Sequence, residues 1–432
     1  MTNVDSFSIP TSYSSLDSIS FDEQLARLKS DFKELWQVAS ESAPSFGKEY
    51  DATDKRRHES DLEELIALMK DGDVRSEEDL TRQLQHLKSS VRSMVVRSVD
   101  ADRRSETDAI LNEFSDAGDE YVRQAKEFDP TLKMEDLFQA LRNLWILNSM
   151  QIGLGLAVGV NRSGLAYSLL YPYTDNYLDD PKIKAEEKWM FSRKFRDRLS
   201  GIAAPVSSVL ESRTWDLVEM IESEYPRVLY PDVYRSLLAI HAGQDKSISQ
   251  HESSEYVVRA DLLRISIEKG GSSVLTDAYL AKGFLTADEA KFSFGYGVFL
   301  QLIDDLQDVR EDIDHGHHTL FTETASRGAL DGIAVRLHRF VDEVLDSCIP
   351  EANPRLETLT ALVRQSCRVL ILESIARYPE LYSTQFIAYA ERYSPVSFDR
   401  IRSLHATMKA KQVGINQVLK SRRMLNVAAA TA

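Results

Sequence analysis

The chain has 432 residues, 43% of them hydrophobic and 28% charged, which is ordinary for a globular protein with a sizeable core. A net charge of −16 without a concentrated basic patch argues against nucleic acid as a partner. Cys348 and Cys367 are the only cysteines and lack metal-type spacing, which argues against disulfides and zinc, and the apolar stretch around Gly153 to Val160 is too short and glycine-rich to span a bilayer.

The opening Met1-Thr2-Asn3-Val4-Asp5-Ser6 has neither the basic nor the apolar region of a signal peptide, so the chain reads as cytoplasmic. Residues 1–20 are serine-rich and read as a disordered tail. From Phe21 the pattern is helical almost throughout, and residues 21–130 read as an N-terminal helical extension. Ser76-Glu77-Glu78-Asp79 resembles a capping box, and Leu80, Leu84, Leu87, Val91 and Met94 follow at 3–4 spacing. That stripe predicts a long amphipathic helix running to about Phe128 with one face on the core. Asp129-Pro130 punctuates the chain before a nearly continuous apolar helix over 135–160. Within it Gly153, Gly155 and Gly159 allow close packing or a ligand beside the backbone.

Pro181 ends or kinks the next helix, and another follows from Ala185 with Lys188, Arg193, Lys194, Arg196 and Arg198. Beyond Pro205, Pro226 and Pro231 the periodicity predicts helices over 254–268, 272–282, 287–314, 329–347, 355–376 and 396–420. Strand-like alternation is scarce and no repeat shows. The expectation is an all-α fold with one core, residues 21–130 being wrapped on a domain spanning 131–432.

Two aspartate clusters interrupt this apolar pattern: Asp175, Asp179 and Asp180, then Asp304, Asp305, Asp308 and Asp312. A helix turns about 100° per residue, so Asp304, Asp308 and Asp312 share one face, and so do Asp175 and Asp179. Like charges so placed repel, and the apolar residues flanking them raise the cost. A divalent cation removes the repulsion, and hard oxygen ligands suit Mg²⁺. A solvated acidic face is the plain alternative. An EF-hand loop does not fit, because the glycine at its sixth position is missing. His315, His317 and His318 read as a helix end, with Gly316 as its breaker.

The stretch Gly295-Tyr296-Gly297-Val298-Phe299-Leu300-Gln301-Leu302-Ile303-Asp304-Asp305-Leu306-Gln307-Asp308 resembles the second Asp-rich helix of class I isoprenoid synthases. Prenyl-elongating members read Phe-Gln-x-x-Asp-Asp-x-x-Asp there. Squalene and phytoene synthases carry Asp-x-x-x-Asp, matched by Asp308 and Asp312, and the first cluster is closer to that type. Ser272-Ser273-Val274-Leu275 and Gly283 resemble the small-residue helix near the diphosphate, so the likeness covers about residues 135–390.

The resemblance implies a class I isoprenoid synthase helical bundle with extra N-terminal helices. Its acidic helices would face each other across a deep apolar cavity holding a prenyl diphosphate. It implies three Mg²⁺ ions, with Mn²⁺ as a substitute, held by Asp175, Asp179, Asp180, Asp304, Asp305, Asp308 and Asp312. Asp175, Asp179, Asp304 and Asp308 would be catalytic through those ions. It implies substrate contacts from Gln301, from Arg259, which lies 45 residues before Asp304, and from Arg377-Tyr378, which begins 69 residues after Asp308. Tyr167, Tyr171, Tyr296 and Phe299 are candidates to stabilise a carbocation by their ring faces.

Elongating synthases carry a Gly-Lys-x-x-Arg-Pro segment and an Arg-Arg pair after the first motif, whereas here Asp180 is followed by Pro181-Lys182-Ile183-Lys184. Head-to-head synthases carry Tyr-Cys and Val-Ala-Gly before the second motif, and neither occurs. The expectation left is a Mg²⁺-dependent terpene synthase acting on one linear prenyl diphosphate, a homodimer being compatible with it. Its rivals are head-to-head condensation, chain elongation, and a non-catalytic helical protein that binds a lipid diphosphate or a partner.

Overall fold

The computed structural model describes residues 19–42, 45–70, 77–180, 182–248, 259–349 and 353–407. At 68–70, 77–84, 87, 179, 247–248 and 259–261 the description is of backbone only. Every described element is helical, as the sequence pattern predicts. The predicted tail lies outside the described residues up to 18, and so does Ser76 of the predicted capping box.

The N-terminal extension contains α1 (Phe21–Val38), α2 (Ala52–Lys70), α3 (Glu77–Ser98) and α4 (Arg104–Phe128). Ser20 and Glu23 form a capping box that starts α1, and Phe21, Leu25, Leu28, Phe32 and Trp36 recur on its buried face. That face enters the main core: Phe32 meets Phe294 at 5.7 Å between ring centroids and Trp36 meets Phe340 at 5.5 Å. The long helix predicted over 76–128 is broken at residues 99–103, where Asp100 and Asp102 favour a turn over helix continuation. The break lets α3 and α4 fold back on each other, with Val91 packing on Leu65 of α2.

The main bundle runs α5 (Met134–Gly153), α6 (Arg162–Asp179), α7 (Ala185–Leu199), α8 (Val209–Glu224), α9 (Pro231–Ile248), α10 (Arg259–Lys282) and α11 (Ala287–Gln307). It closes with α12 (Val309–His315), α13 (Leu320–Ala325), α14 (Asp331–Ser347), α15 (Pro354–Arg377) and α16 (Thr384–Glu391). A further helical stretch covers 398–407. The helix predicted over 135–160 ends at Gly153, and Gly155 at φ +68° turns the chain into a loop that only glycine enters without strain.

Two helices were predicted where α10 is one. Gly270 and Gly271 do not break it; they let it lie against α11. A Cβ on Gly270 would sit 2.4 Å from the carbonyl oxygen of Gly297, and one on Gly271 would sit 2.4 Å from the ring of Phe294. The reverse occurs over 287–314, where the chain bends at Asp308 into α11 and α12. The bend is slight, because the amides of Asp308 and Asp312 still donate to the carbonyls four residues back, at 3.0 and 2.8 Å.

α10 is antiparallel to both α6 and α11. Ser163 reaches Leu280 while Tyr171 reaches Ser273, and Gly270 meets Gly297 while Ser266 meets Asp305. The C-terminal ends of α6 and α11 therefore lie at the same end of the bundle, beside the start of α10.

His338 of α14 is almost fully buried, with Phe46 edge-on to its ring at 4.7 Å and Asp342 Oδ2 3.3 Å from Nδ1. Burial pushes the imidazole down to about 4, against the pull of Asp342. A folded-state value below the ordinary 6.5 means that protonation favours the unfolded chain. This contribution is complete above about pH 6.5 and is lost as pH falls towards about 4, at most about 3 kcal/mol. Urea midpoints measured down this range should fall in the wild type and fall less in His338→Gln. Equal slopes in the two proteins would overturn this account.

Candidate functional site

The second acidic stripe ends α11. Thr286 and Glu289 cap the other end of that helix, and its apolar residues are buried along most of its length, which fixes its rotation. Asp304 and Asp308 are left at the surface, and Asp312 follows half-buried on α12. Partial desolvation raises the Asp308 carboxyl to about 6, with further upward pressure from Asp304, Asp312 and Glu311. Asp312 is raised for the same reasons, although His317 Nδ1 lies 3.3 Å from its Oδ1. Gly316 at φ +74° closes α12 and brings His317 back onto Asp312, the helix end that the sequence predicts there.

Asp305 does not join this face. It is buried against α10, where Ser266 Oγ donates to Oδ2 at 2.7 Å and Gln301 Nε2 donates to Oδ1 at 2.8 Å. Burial lifts it to about 7. The structure thus turns Asp305 to the interior, with Gln301 hydrogen-bonded to it. One residue along a helix is a rotation of about 100°, enough to carry a side chain from the surface to the core.

Arg377 and Tyr378 end α15 beside this stripe. The Arg377 guanidinium draws the Asp308 carboxyl down, and burial pushes the Tyr378 hydroxyl up, with Asp308 and Glu311 adding to the rise. Arg377 donates to Tyr378 Oη at 2.8 Å and lies 3.8 Å from Glu373, and its Nε is buried without a hydrogen-bond partner among the described residues. This places one half-buried guanidinium between Glu373 and Asp308, at the edge of the acidic stripe.

The first stripe lies at the same end of the bundle but meets other neighbours. Asp175 Oδ1 accepts from Thr174 Oγ1 and from Gln244 Nε2 of α9, both at 3.1 Å. Asp179 is the last residue of α6, and its side chain lies outside the described residues. Asp180 caps the turn, accepting from the Lys182 amide at 2.8 Å. Arg259 opens α10, and its side chain too is outside the described residues.

Asp175 borders a pocket between α6, α7 and α9 whose walls include Tyr167, Tyr171, Phe195, Leu237 and His241. It measures about 20 Å³, room for one water-sized occupant. Asp304 and Asp308 are not among its walls. The space beside Gly153 is filled by Phe292, whose ring lies 2.8 Å from where a Cβ would be.

Two features escaped the sequence reading. Arg142 of α5 reaches Asp304 Oδ1 at 3.7 Å, and nothing in the pattern around it marks that role. Asp277 of α10 is fully buried, with Asn143 Nδ2 donating to Oδ1 at 3.1 Å and Oδ2 without a hydrogen-bond partner among the described residues. Burial raises its carboxyl well above the ordinary value, against the pull of the Asn143 hydrogen bond. Its signal was legible: a lone aspartate inside Val274-Leu275-Thr276-Asp277-Ala278-Tyr279-Leu280.

Among the described residues, no three His, Cys, Asp or Glu side chains stand close enough together to hold a metal ion as they are. The donor chemistry nevertheless suits Mg²⁺. Asp304, Asp308 and Asp312 are hard oxygen ligands whose mutual repulsion a cation would relieve. No protein-family model, curated protein or solved structure matches the chain. No described helix is long and apolar enough to cross a membrane.

Proposed function

We propose that the chain is a Mg²⁺-dependent terpene synthase, which ionises a linear prenyl diphosphate and releases inorganic diphosphate. The observation that supports this most is the grouping of Asp304, Asp308 and Asp312 on one face with Arg377 and Tyr378 beside Asp308. Asp304, Asp308 and Asp312 would hold the ions, and Asp175 and Asp179 belong to α6, whose C-terminal end lies at the same end of the bundle. Bound Mg²⁺ supplies positive charge where the leaving diphosphate gathers negative charge.

The protein's own groups do the rest. The Arg377 guanidinium and the Tyr378 hydroxyl, already hydrogen-bonded to each other, would turn to diphosphate oxygens and orient the leaving group. Arg142, already drawn to Asp304, adds a second cation at the rim. The hydrocarbon tail would take the aromatic space beside Asp175, where Tyr167, Tyr171 and Phe195 exclude water from a developing carbocation. At about 20 Å³ that space admits a tail only after these rings move aside.

The test is incubation of the full chain with geranyl, farnesyl and geranylgeranyl diphosphates, each with and without isopentenyl diphosphate, following diphosphate release and product mass. One substrate alone should yield a product in millimolar-range Mg²⁺ or Mn²⁺. Chelator should abolish the reaction and Zn²⁺ should not restore it, since carboxylates are the proposed ligands and favour hard cations. Doubled carbon number would mean head-to-head condensation, and a requirement for isopentenyl diphosphate would mean elongation. Binding without diphosphate release at any chain length would end the catalytic reading.

A further inference from the structure

The large apolar side chains left at the surface are not scattered. Of eleven such residues among those described, seven fall between Trp189 and Leu229. Trp189 and Met190 stand 63% and 53% exposed on α7, while Phe191 and Phe195 of the same helix are buried. Lys194 lies one turn beyond Met190, on its side of the helix, and binds Ser207 Oγ at 2.7 Å and Glu211 Oε1 at 2.8 Å. That clamp seats the following loop along α7 and leaves Val206 and Val209 exposed beside it.

The far end of α7 is bordered in the same way. Arg227 donates to the carbonyls of Leu199 and Arg198 at 2.6 and 3.0 Å, which ties the segment carrying the exposed Val228 and Leu229 to the end of α7. The loop backbone is held by Trp215 Nε1 donating to the Ala204 carbonyl at 2.8 Å, so its apolar side chains are presented outward from a fixed frame. The apolar strip follows a helix about 22 Å long.

Charge follows the strip. Residues 182–198 carry seven basic and three acidic side chains in a chain whose net charge is −16. Lys194, Arg196 and Arg198 are engaged by Glu211, Asp197 and Glu222. Lys182, Lys184, Lys188 and Arg193 have no carboxylate within ion-pair reach among the described residues, and Arg193 lies over the Trp189 ring at 5.6 Å. Glu186 and Glu187 occupy the first turn of α7, where the helix dipole favours carboxylates.

We propose that this face docks on an anionic lipid bilayer, with Trp189, Met190, Val206 and Val209 entering the headgroup boundary and the lysines before and within α7 meeting the lipid charges. A bilayer suits it better than a second copy of the chain, since a two-fold dimer through this face would set its lysines against each other. Exposed apolar side chains that include a tryptophan, flanked by lysine and arginine, are the chemistry of interfacial binding. Docking does not depend on the catalytic reading. It would hold the Asp175–Asp180 end of the bundle near the surface from which a prenyl lipid is drawn, because Lys182 and Lys184 follow that end directly.

The experiment is flotation of the full chain with vesicles of phosphatidylcholine, alone or mixed with phosphatidylserine, across a salt series. Binding is expected with phosphatidylserine at low salt, together with a blue shift in tryptophan emission that Trp189→Phe lacks. Exchanging Lys182, Lys184 and Lys188 for glutamate should weaken partition by about a hundredfold or more. Trp189→Ser should weaken it by about tenfold, with helical content unchanged in every variant. Absence of flotation with phosphatidylserine at low salt would overturn the proposal, and so would variants that bind like the wild type. Sedimentation of the chain as a dimer that Trp189→Ser splits would assign the face to self-association instead.

Discussion

Asp308→Asn should lower turnover by about two to three orders of magnitude while leaving the fold intact. The substitution keeps the volume and removes one negative charge from a face where Asp304, Asp312 and Glu311 already press on it. No hydrogen bond from the Asp308 side chain caps α12, so its loss leaves no donor stranded. Relief of repulsion should hold the melting temperature level or raise it slightly. Glu311→Gln is the control, because it removes the same charge from an exposed position off the stripe and should keep most of the rate. Diphosphate release by both variants, alongside circular dichroism, decides it. A near-normal rate in Asp308→Asn would remove the second cluster from the chemistry, and equal losses in both would reduce its role to bulk charge.

Helical periodicity made the all-α class legible, because burial of one stripe per helix is a local property of sequence. Breaks were harder. Gly270-Gly271 reads as an interruption until α11 is known to lie against it, and a tertiary contact then turns two poor helix formers into a packing requirement. Asp308 reads as mid-helix, yet the chain bends there with its backbone hydrogen bonds almost kept.

The acidic stripes were legible as faces, since i, i+4 spacing fixes rotation whatever lies opposite. Asp305 shows the limit of that logic: its neighbour Asp304 meets solvent and Arg142, while Asp305 meets Ser266 in the interior. Only the position of α10 decides between those environments. Arg377-Tyr378 was inferred from a family resemblance at a separation of 69 residues, and the fold does bring the pair to Asp308. Arg142 left no trace in the pattern, because a long exposed cation on a helix looks the same whether or not it faces a carboxylate.

Gly297→Ala should destabilise the fold by about 3 kcal/mol or more, the upper range for overpacking a well-filled interior. In an exposed helix the same change would gain about 1 kcal/mol from helix propensity, so the sign rests on the contact opposite. A Cβ at Gly297 would lie 2.0 Å from the Gly270 carbonyl oxygen and 2.8 Å from its carbonyl carbon. Those are backbone atoms of a buried helix and cannot swing aside as a side chain would. α10 and α11 must separate, which loosens Val274 and Phe294 packed between them. The Ser266–Asp305 bond, 2.7 Å long and further along the same pair of helices, should lengthen with them, so activity should fall along with stability. Gly270→Ala should cost a similar amount alone and less when added to Gly297→Ala, because the helices are then already apart. Gly159→Ala is the contrast: nothing lies within 4 Å of its Cβ position, and its effect should be near zero. Urea unfolding of the four variants beside the wild type measures all three relations, and an unchanged midpoint in Gly297→Ala would show that α10 and α11 do not meet backbone to backbone.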